Sequence, residues 1–175
     1  MWSDYKWQDY VTEKPGALLT KTPSVTVNPA FLQEVKEEDQ YFRDLSDELY
    51  DLCRADLDGN WDVEFFHQLL VALRGQLALR FSLEENVGYF SNPCEADPCI
   101  CYTAAKLRAQ HIDLFDEISQ ITDAAADLIY PWLETASPAE LVERFLEFQL
   151  RYWEHEKREY ELIWQAHQLD LGGEG

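Results

Sequence analysis

Tyr152-Trp-Glu-His-Glu-Lys-Arg-Glu-Tyr-Glu-Leu162 is the stretch on which the fold turns. It lies within Ala139 to His167, where Leu141, Phe145, Phe148, Tyr152, Leu162 and Ala166 fall on one line of alternating four- and three-residue steps. That spacing keeps side chains on one face of an α-helix, so it predicts a long helix with a single buried stripe. Ser137-Pro138-Ala139-Glu140 opens the helix with a capping hydroxyl, a proline at the first helical position and a glutamate three residues past the cap. Two positions on the stripe are not apolar, His155 and Glu159. Four residues apart, they stand one above the other and face the same interior. A buried imidazole beside a buried carboxylate requires partners from elsewhere in the chain.

Three further segments offer them. Asn28-Pro29 starts a helix over 29–53 whose face is Phe31, Val35, Phe42, Leu45, Leu49 and Leu52, interrupted by Asp39. A second helix spans 61–90, with the inner line Phe66, Leu70, Leu73, Leu77, Arg80, Glu84 and Val87. Arg80 and Glu84 occupy places where leucine is expected, and such residues are rarely buried unless paired. The third helix, 102–129, reads Ala104, Leu107, His111, Leu114, Ile118, Ile121, Ala125 and Leu128, broken only by His111. The last spans 138–168. Four long helices with short connections predict an all-α, up-down-up-down four-helix bundle. At about 1.5 Å of rise per residue, Asp39, Arg80, Glu84, His111, His155 and Glu159 fall in one layer, roughly 9–20 Å from one end.

Here the residues reach a family. Arg80-Phe-Ser-Leu-Glu-Glu-Asn-Val-Gly-Tyr-Phe90 resembles the second-helix motif H-F-x-x-E-E-x-x-L-F of the hemerythrin-like proteins. His155-x-x-x-Glu159 with Leu162-Ile163 resembles the fourth-helix motif, and Leu107-Arg-Ala-Gln-His111 with Leu114 resembles the third-helix histidine. Val35-x-x-x-Asp39-x-x-Phe42 takes the place of the first-helix histidine. The resemblance implies a centre of two iron ions that binds or senses dioxygen. Carried over, Glu84 and Glu159 would bridge the ions, and His111 and His155 would be terminal ligands. The sequence departs from that pattern. Arg80 and Asp39 stand at histidine positions, and Leu107 and Phe115 flank His111, so helix three offers no second histidine.

Imidazole and carboxylate together suit iron, zinc or manganese. Asp39, Glu84, His111, His155 and Glu159 are enough ligands for one ion. Arg80 has no lone pair to give and is the natural counter-ion of the carboxylates. Three readings of the centre stay open: a metal-free, self-neutralising polar core, which leads; a single ion; and an intact pair of iron ions. The corresponding functions are a non-enzymatic binding or sensing protein with its metal centre partly or wholly lost, or a working non-haem iron protein. No open nucleophile–base arrangement is visible, which disfavours an enzyme. His67 and His167 lie off the inner lines and read as surface residues, and Glu37, Glu38, Glu154 and Glu156 as solvated faces.

At 175 residues the chain is long enough for one domain with a sizeable core. Its net charge of −20 argues against nucleic acid and anionic membrane surfaces as partners. No apolar run approaches the roughly 20 residues that cross a bilayer. The first residues show neither a basic leader nor an apolar stretch, and the expectation is a cytoplasmic protein. Residues 1–28 read as an extended aromatic arm, 29–168 as the bundle and 169–175 as a flexible tail. Trp2, Tyr5, Trp7 and Tyr10 cluster in the arm and predict docking on the chain's own body, on a second subunit or on a protein partner. Asp56-Leu-Asp-Gly-Asn60 starts like a calcium loop, but Trp61 and His67 stand where glycine and glutamate are required, so it reads as a turn. Cys94, Cys99 and Cys101 lack the usual metal-ligand spacing; reduced loop cysteines are the leading reading, and a local disulfide in an oxidising setting stays open.

Overall fold

The structure, a computed structural model, describes residues 25–54, 62–91, 98–130 and 137–172. Within these the chain is built of packed α-helices. Strand β1 (Val25–Val27) leads into α1 (Pro29–Glu38) and α2 (Gln40–Arg54). Helix α3 (Val63–Leu83) continues into a π-helical turn, Glu84–Gly88, and strand β2 (Tyr89–Ser91). Two long helices follow, α4 (Pro98–Ile129) and α5 (Pro138–Gly172). Helix α4 packs against both α3 and α5, while α2 packs on α3 and α1 on α5. No described helix is long and apolar enough to cross a membrane. The arm residues Trp2, Tyr5, Trp7 and Tyr10, the 56–60 connector and Cys94 lie outside the described residues.

Local chemistry sets the helix starts. Asn28 Oδ1 accepts from Phe31 N at 3.2 Å with Pro29 in the first turn, and Asp62 Oδ1 accepts from Phe65 N at 2.9 Å. Ser137 and Glu140 form a reciprocal box: Glu140 N donates to Ser137 Oγ at 3.2 Å, and Ser137 N donates to Glu140 Oε2 at 2.8 Å.

Several boundaries differ from the sequence reading. The helix expected over 29–53 breaks at Asp39, whose carboxylate caps α2 by accepting from Phe42 N at 3.0 Å. The break resets the helical phase. Before it Leu32 and Lys36 are buried, rather than Phe31 and Val35; after it the stripe is Phe42, Leu45, Leu49 and Cys53. The helix expected to reach residue 90 widens at Glu84, so Val87 turns outward, 43% exposed. Gly88 comes inward in its place, where a Cβ would stand 2.2 Å from Leu32 Cδ2. The chain then pairs as β2 antiparallel to β1, Val27 opposite Tyr89 and Val25 opposite Ser91. Part of the segment read as an arm is thus a short strand. Helix α4 starts at Pro98, before the expected 102, and α5 runs on to Gly172, into the expected tail.

Two apolar clusters fill the interior. One gathers Phe42, Leu49, Phe66, Leu77, Ile118, Phe145 and Tyr152 among others. The second gathers Val27, Leu32, Tyr89, Leu107, Leu162 and Ala166. Between them along the chain lie buried polar residues: Lys36 after Leu32, Glu84 before Tyr89, His111 after Leu107, and His155 with Glu159 before Leu162.

Candidate metal centre

Five elements deliver the polar side chains. Lys36 comes from α1, Arg80 from the last turn of α3, Glu84 and Glu85 from the π turn, His111 from α4, and His155, Glu156 and Glu159 from α5. The wide turn matters here. It sets Glu84 Oε2 3.5 Å from His111 Nε2 while Glu85 Oε1 lies 3.0 Å from His111 Nδ1, so consecutive carboxylates flank both edges of one ring. Single π turns recur at functional sites for this kind of re-aiming. Phe81 stacks on His111 at 4.0 Å between centroids, 5° from parallel, and fixes the ring plane.

The two histidines are held alike. His155 Nδ1 lies 3.0 Å from Gln110 Oε1, as His111 Nδ1 does from Glu85 Oε1. Both partners are acceptors, so in the neutral imidazole Nδ1 carries the proton and Nε2 the lone pair. Those Nε2 atoms point inward and are buried without a hydrogen-bond partner among the described residues, as is Glu84 Oε2. Glu159 closes the group, with Oε1 3.7 Å from His111 Nε2 and Oε2 3.5 Å from His155 Nε2. Ligating atoms of His111, His155 and Glu159 lie within 4.8 Å of one another. Metal-binding histidines usually have the outer ring nitrogen tied in this way, and buried polar atoms without partners are rare enough to need a reason. The set fits one transition-metal ion.

A second group, Glu84, Glu156 and Glu159, meets the same 4.8 Å limit. Among its oxygens stands Lys36 Nζ, 2.8 Å from Glu156 Oε1, 3.6 Å from Glu84 Oε1 and in close contact with Glu159 Oε2. Arg80 lines the same side: Nη2 is 2.7 Å from Glu156 Oε2, Nε 3.1 Å from Glu84 Oε1 and Nη1 3.8 Å from Asp39 Oδ2. Its guanidinium also lies over Phe42 and Tyr152, at 5.4 and 5.9 Å. Tyr89 Oη donates a short hydrogen bond to Glu159 Oε1.

Protonation follows from these contacts. Burial, then the nearby Glu159 charge, push the Glu84 carboxyl up to about 7, only partly offset by Lys36 and Arg80. Burial also raises the cost of charging Glu159, but its neighbours, the Lys36 ammonium foremost, outweigh it and hold that carboxyl well below the usual range. For Lys36, burial opposes the charge, yet Glu159, Glu156 and Glu84 keep its pKa above the ordinary lysine value. Burial lowers His155 to about 4 against the pull of Glu159, so at neutral pH it is a neutral imidazole, the ligating form. Burial and Glu159 raise Tyr89 strongly and keep it a donor.

Of the residues singled out in the sequence, Glu84, His111, His155 and Glu159 come together, and Arg80 is 5% exposed among their carboxylates. Asp39 is apart from them, a helix cap facing Arg80 and not a member of either ligand group. Glu156, read as a solvated face, pairs with both Lys36 and Arg80. Lys36, Glu85, Tyr89 and Gln110 were not singled out. Only Lys36 left a periodic signal, one turn after Leu32, and it becomes visible once the helix is allowed to end at Asp39. Cavities of about 300 Å³ beside Glu85 and His111, and about 190 Å³ beside Gln110 and His155, bring the surface to the outer edge of each imidazole.

Compared with protein-family models, curated proteins and solved structures, the chain matches none.

Proposed function

We propose that this chain is a hemerythrin-like, up-down-up-down four-helix bundle, α1 and α2 together forming its first helix, that binds one transition-metal ion without being an enzyme. The order in which the helices meet the two apolar clusters supports the topology. Helices α1–α2 and α4 pass from the Leu32–Leu107 cluster to the Phe42–Ile118 cluster, while α5, and α3 together with the β2 residue Tyr89 that follows it, pass the other way. The metal reading rests on one observation: two buried, inward Nε2 atoms without partners among the described residues, each behind an Nδ1 tied to an acceptor, with Glu159 between them.

His111, His155 and Glu159 would hold the ion, with Glu84 Oε2 beside them. Charge favours it. With all four ionised, Asp39, Glu84, Glu156 and Glu159 exceed the cations Lys36 and Arg80 by two negative charges, which one divalent ion would balance. Without the ion, the raised Glu84 carboxyl takes up part of that excess as a proton. Neutral imidazole with carboxylate selects iron, zinc or manganese over calcium or magnesium. Iron there would supply a centre able to bind a small ligand such as dioxygen or to change oxidation state, which makes sensing the function of the iron form. The chain's own part is to hold His111 and His155 by their outer nitrogens, keep Tyr89 protonated on Glu159 and bury the inner atoms from water.

The contacts of Lys36 and Arg80 favour a second reading, a metal-free interaction module whose polar layer neutralises itself. Cobalt(II) titration of chelator-stripped protein separates the two. The expected result is one ion per chain in the wild type, with affinity at least about tenfold weaker in His111→Ala and in His155→Ala. Absence of binding, or binding that neither substitution weakens, overturns the metal reading.

A further inference from the structure

The one-ion reading leaves the carboxylate trio to be explained, and the inference here rests on that reading. We propose that Lys36 is a resident cation: its ammonium stands in the place of a second metal ion and limits the centre to one. Glu84, Glu156 and Glu159 bring an oxygen each within 4.8 Å of the others, the arrangement that oxygen-seeking dications use. Lys36 Nζ is in contact with all three, and its side chain is wholly buried. An ammonium is a compact point charge with three donors and nothing to ligate with, so it takes a cation's place without competing for a metal's ligands.

The surroundings are built to keep it there. Leu32, one turn earlier, is fully buried against Gly88 and holds α1 down. The break at Asp39 ends the helix three residues later, and Arg43 Nη1 donates to the Lys36 carbonyl at 2.8 Å. Glu159 belongs to both ligand groups, with Oε2 on Lys36 and Oε1 toward His111. Glu84 divides likewise, Oε1 toward Lys36 and Arg80, Oε2 toward His111. These two carboxylates therefore bridge the ammonium and the histidine site, as they would bridge two metal ions.

The test is cobalt(II) stoichiometry, by calorimetry and visible absorption, in wild type, Lys36→Met, Lys36→Arg and the exposed control Lys157→Met. One ion is expected in wild type, K157M and K36R, and two in K36M. The additional ion in K36M should be lost on adding Glu156→Gln and retained on adding His111→Ala. Should K36M fold only with cobalt present, metal-dependent folding is the same result, because an ion has replaced the ammonium. If K36M stays unfolded with cobalt, or folds and takes no more ions than wild type, the proposal is overturned. A wild type that binds none beside a K36M that binds one, sensitive to E156Q, removes the one-ion reading and leaves the resident cation standing. One ion in both removes the resident cation alone.

Discussion

Arg80 and Glu84 show how the centre balances charge at the level of single side chains. Removing one member of a buried ion pair leaves the other charged and unsolvated, which typically costs about 3–5 kcal/mol. Arg80→Ala should lose that much in urea unfolding, since Glu84 and Glu156 would each lose their guanidinium contact. A loss below about 1 kcal/mol, the scale of a surface pair, would mean that the guanidinium is solvated. Glu84 adds a pH dependence with a definite sign. Its carboxyl titrates near 7 in the native state against an ordinary 4.5, so between those values the folded chain holds a proton that the unfolded chain has released. Its contribution is present below about pH 4.5 and is lost as pH rises through 7. With chelator present, the stability of wild type relative to Glu84→Gln should therefore fall by about 2–3 kcal/mol between about pH 5 and pH 8. The depressed His155 runs in the opposite sense but is common to both proteins and cancels. A flat difference would place Glu84 in water.

At the scale of elements, the π turn and the break at Asp39 decide which residues reach the centre, and both were hard to read from sequence. The four-and-three pattern of 61–90 continues to Val87 and carries no sign of the widening at Glu84, because the turn depends on tertiary contact. Gly88 must admit Leu32, and β2 must meet β1. Gly88→Ala should cost about 1–3 kcal/mol through overpacking, and distinctly less in a Leu32→Ala background. Equal costs in the two backgrounds would show that the close approach does not matter. Asp39 illustrates the opposite difficulty. The sequence places it among the ligands because it interrupts an apolar line, but an acidic residue three before Phe42 is equally an N-cap, and the structure uses it so. Asp39→Ala should then lose about 1 kcal/mol of stability and keep the cobalt stoichiometry of the wild type; loss of the ion would restore Asp39 as a ligand.

Across the whole molecule, the stripes of the two long helices were legible because burial enforces helical period. Leu141 through Ala166 and Ala104 through Ala125 are buried as the spacing requires, with His111, His155 and Glu159 among them. Lys36 was not legible because a lysine among Glu37 and Glu38 looks like a solvated run until the helix phase is known. The same excess of acid shapes stability at large. A net charge of −20 repels itself, so raising salt from about 0.05 to about 0.5 M should raise the unfolding temperature. A fall would mean that the buried ion pairs, and not surface repulsion, dominate the salt response. The most direct test of the centre itself is the ¹⁵N chemical shift of the imidazole nitrogens in protein with and without stoichiometric zinc. Nε2 of both His111 and His155 should move to the metal-bound position while their Nδ1 atoms stay protonated. Zinc that leaves both Nε2 resonances unchanged would contradict a metal site in this layer.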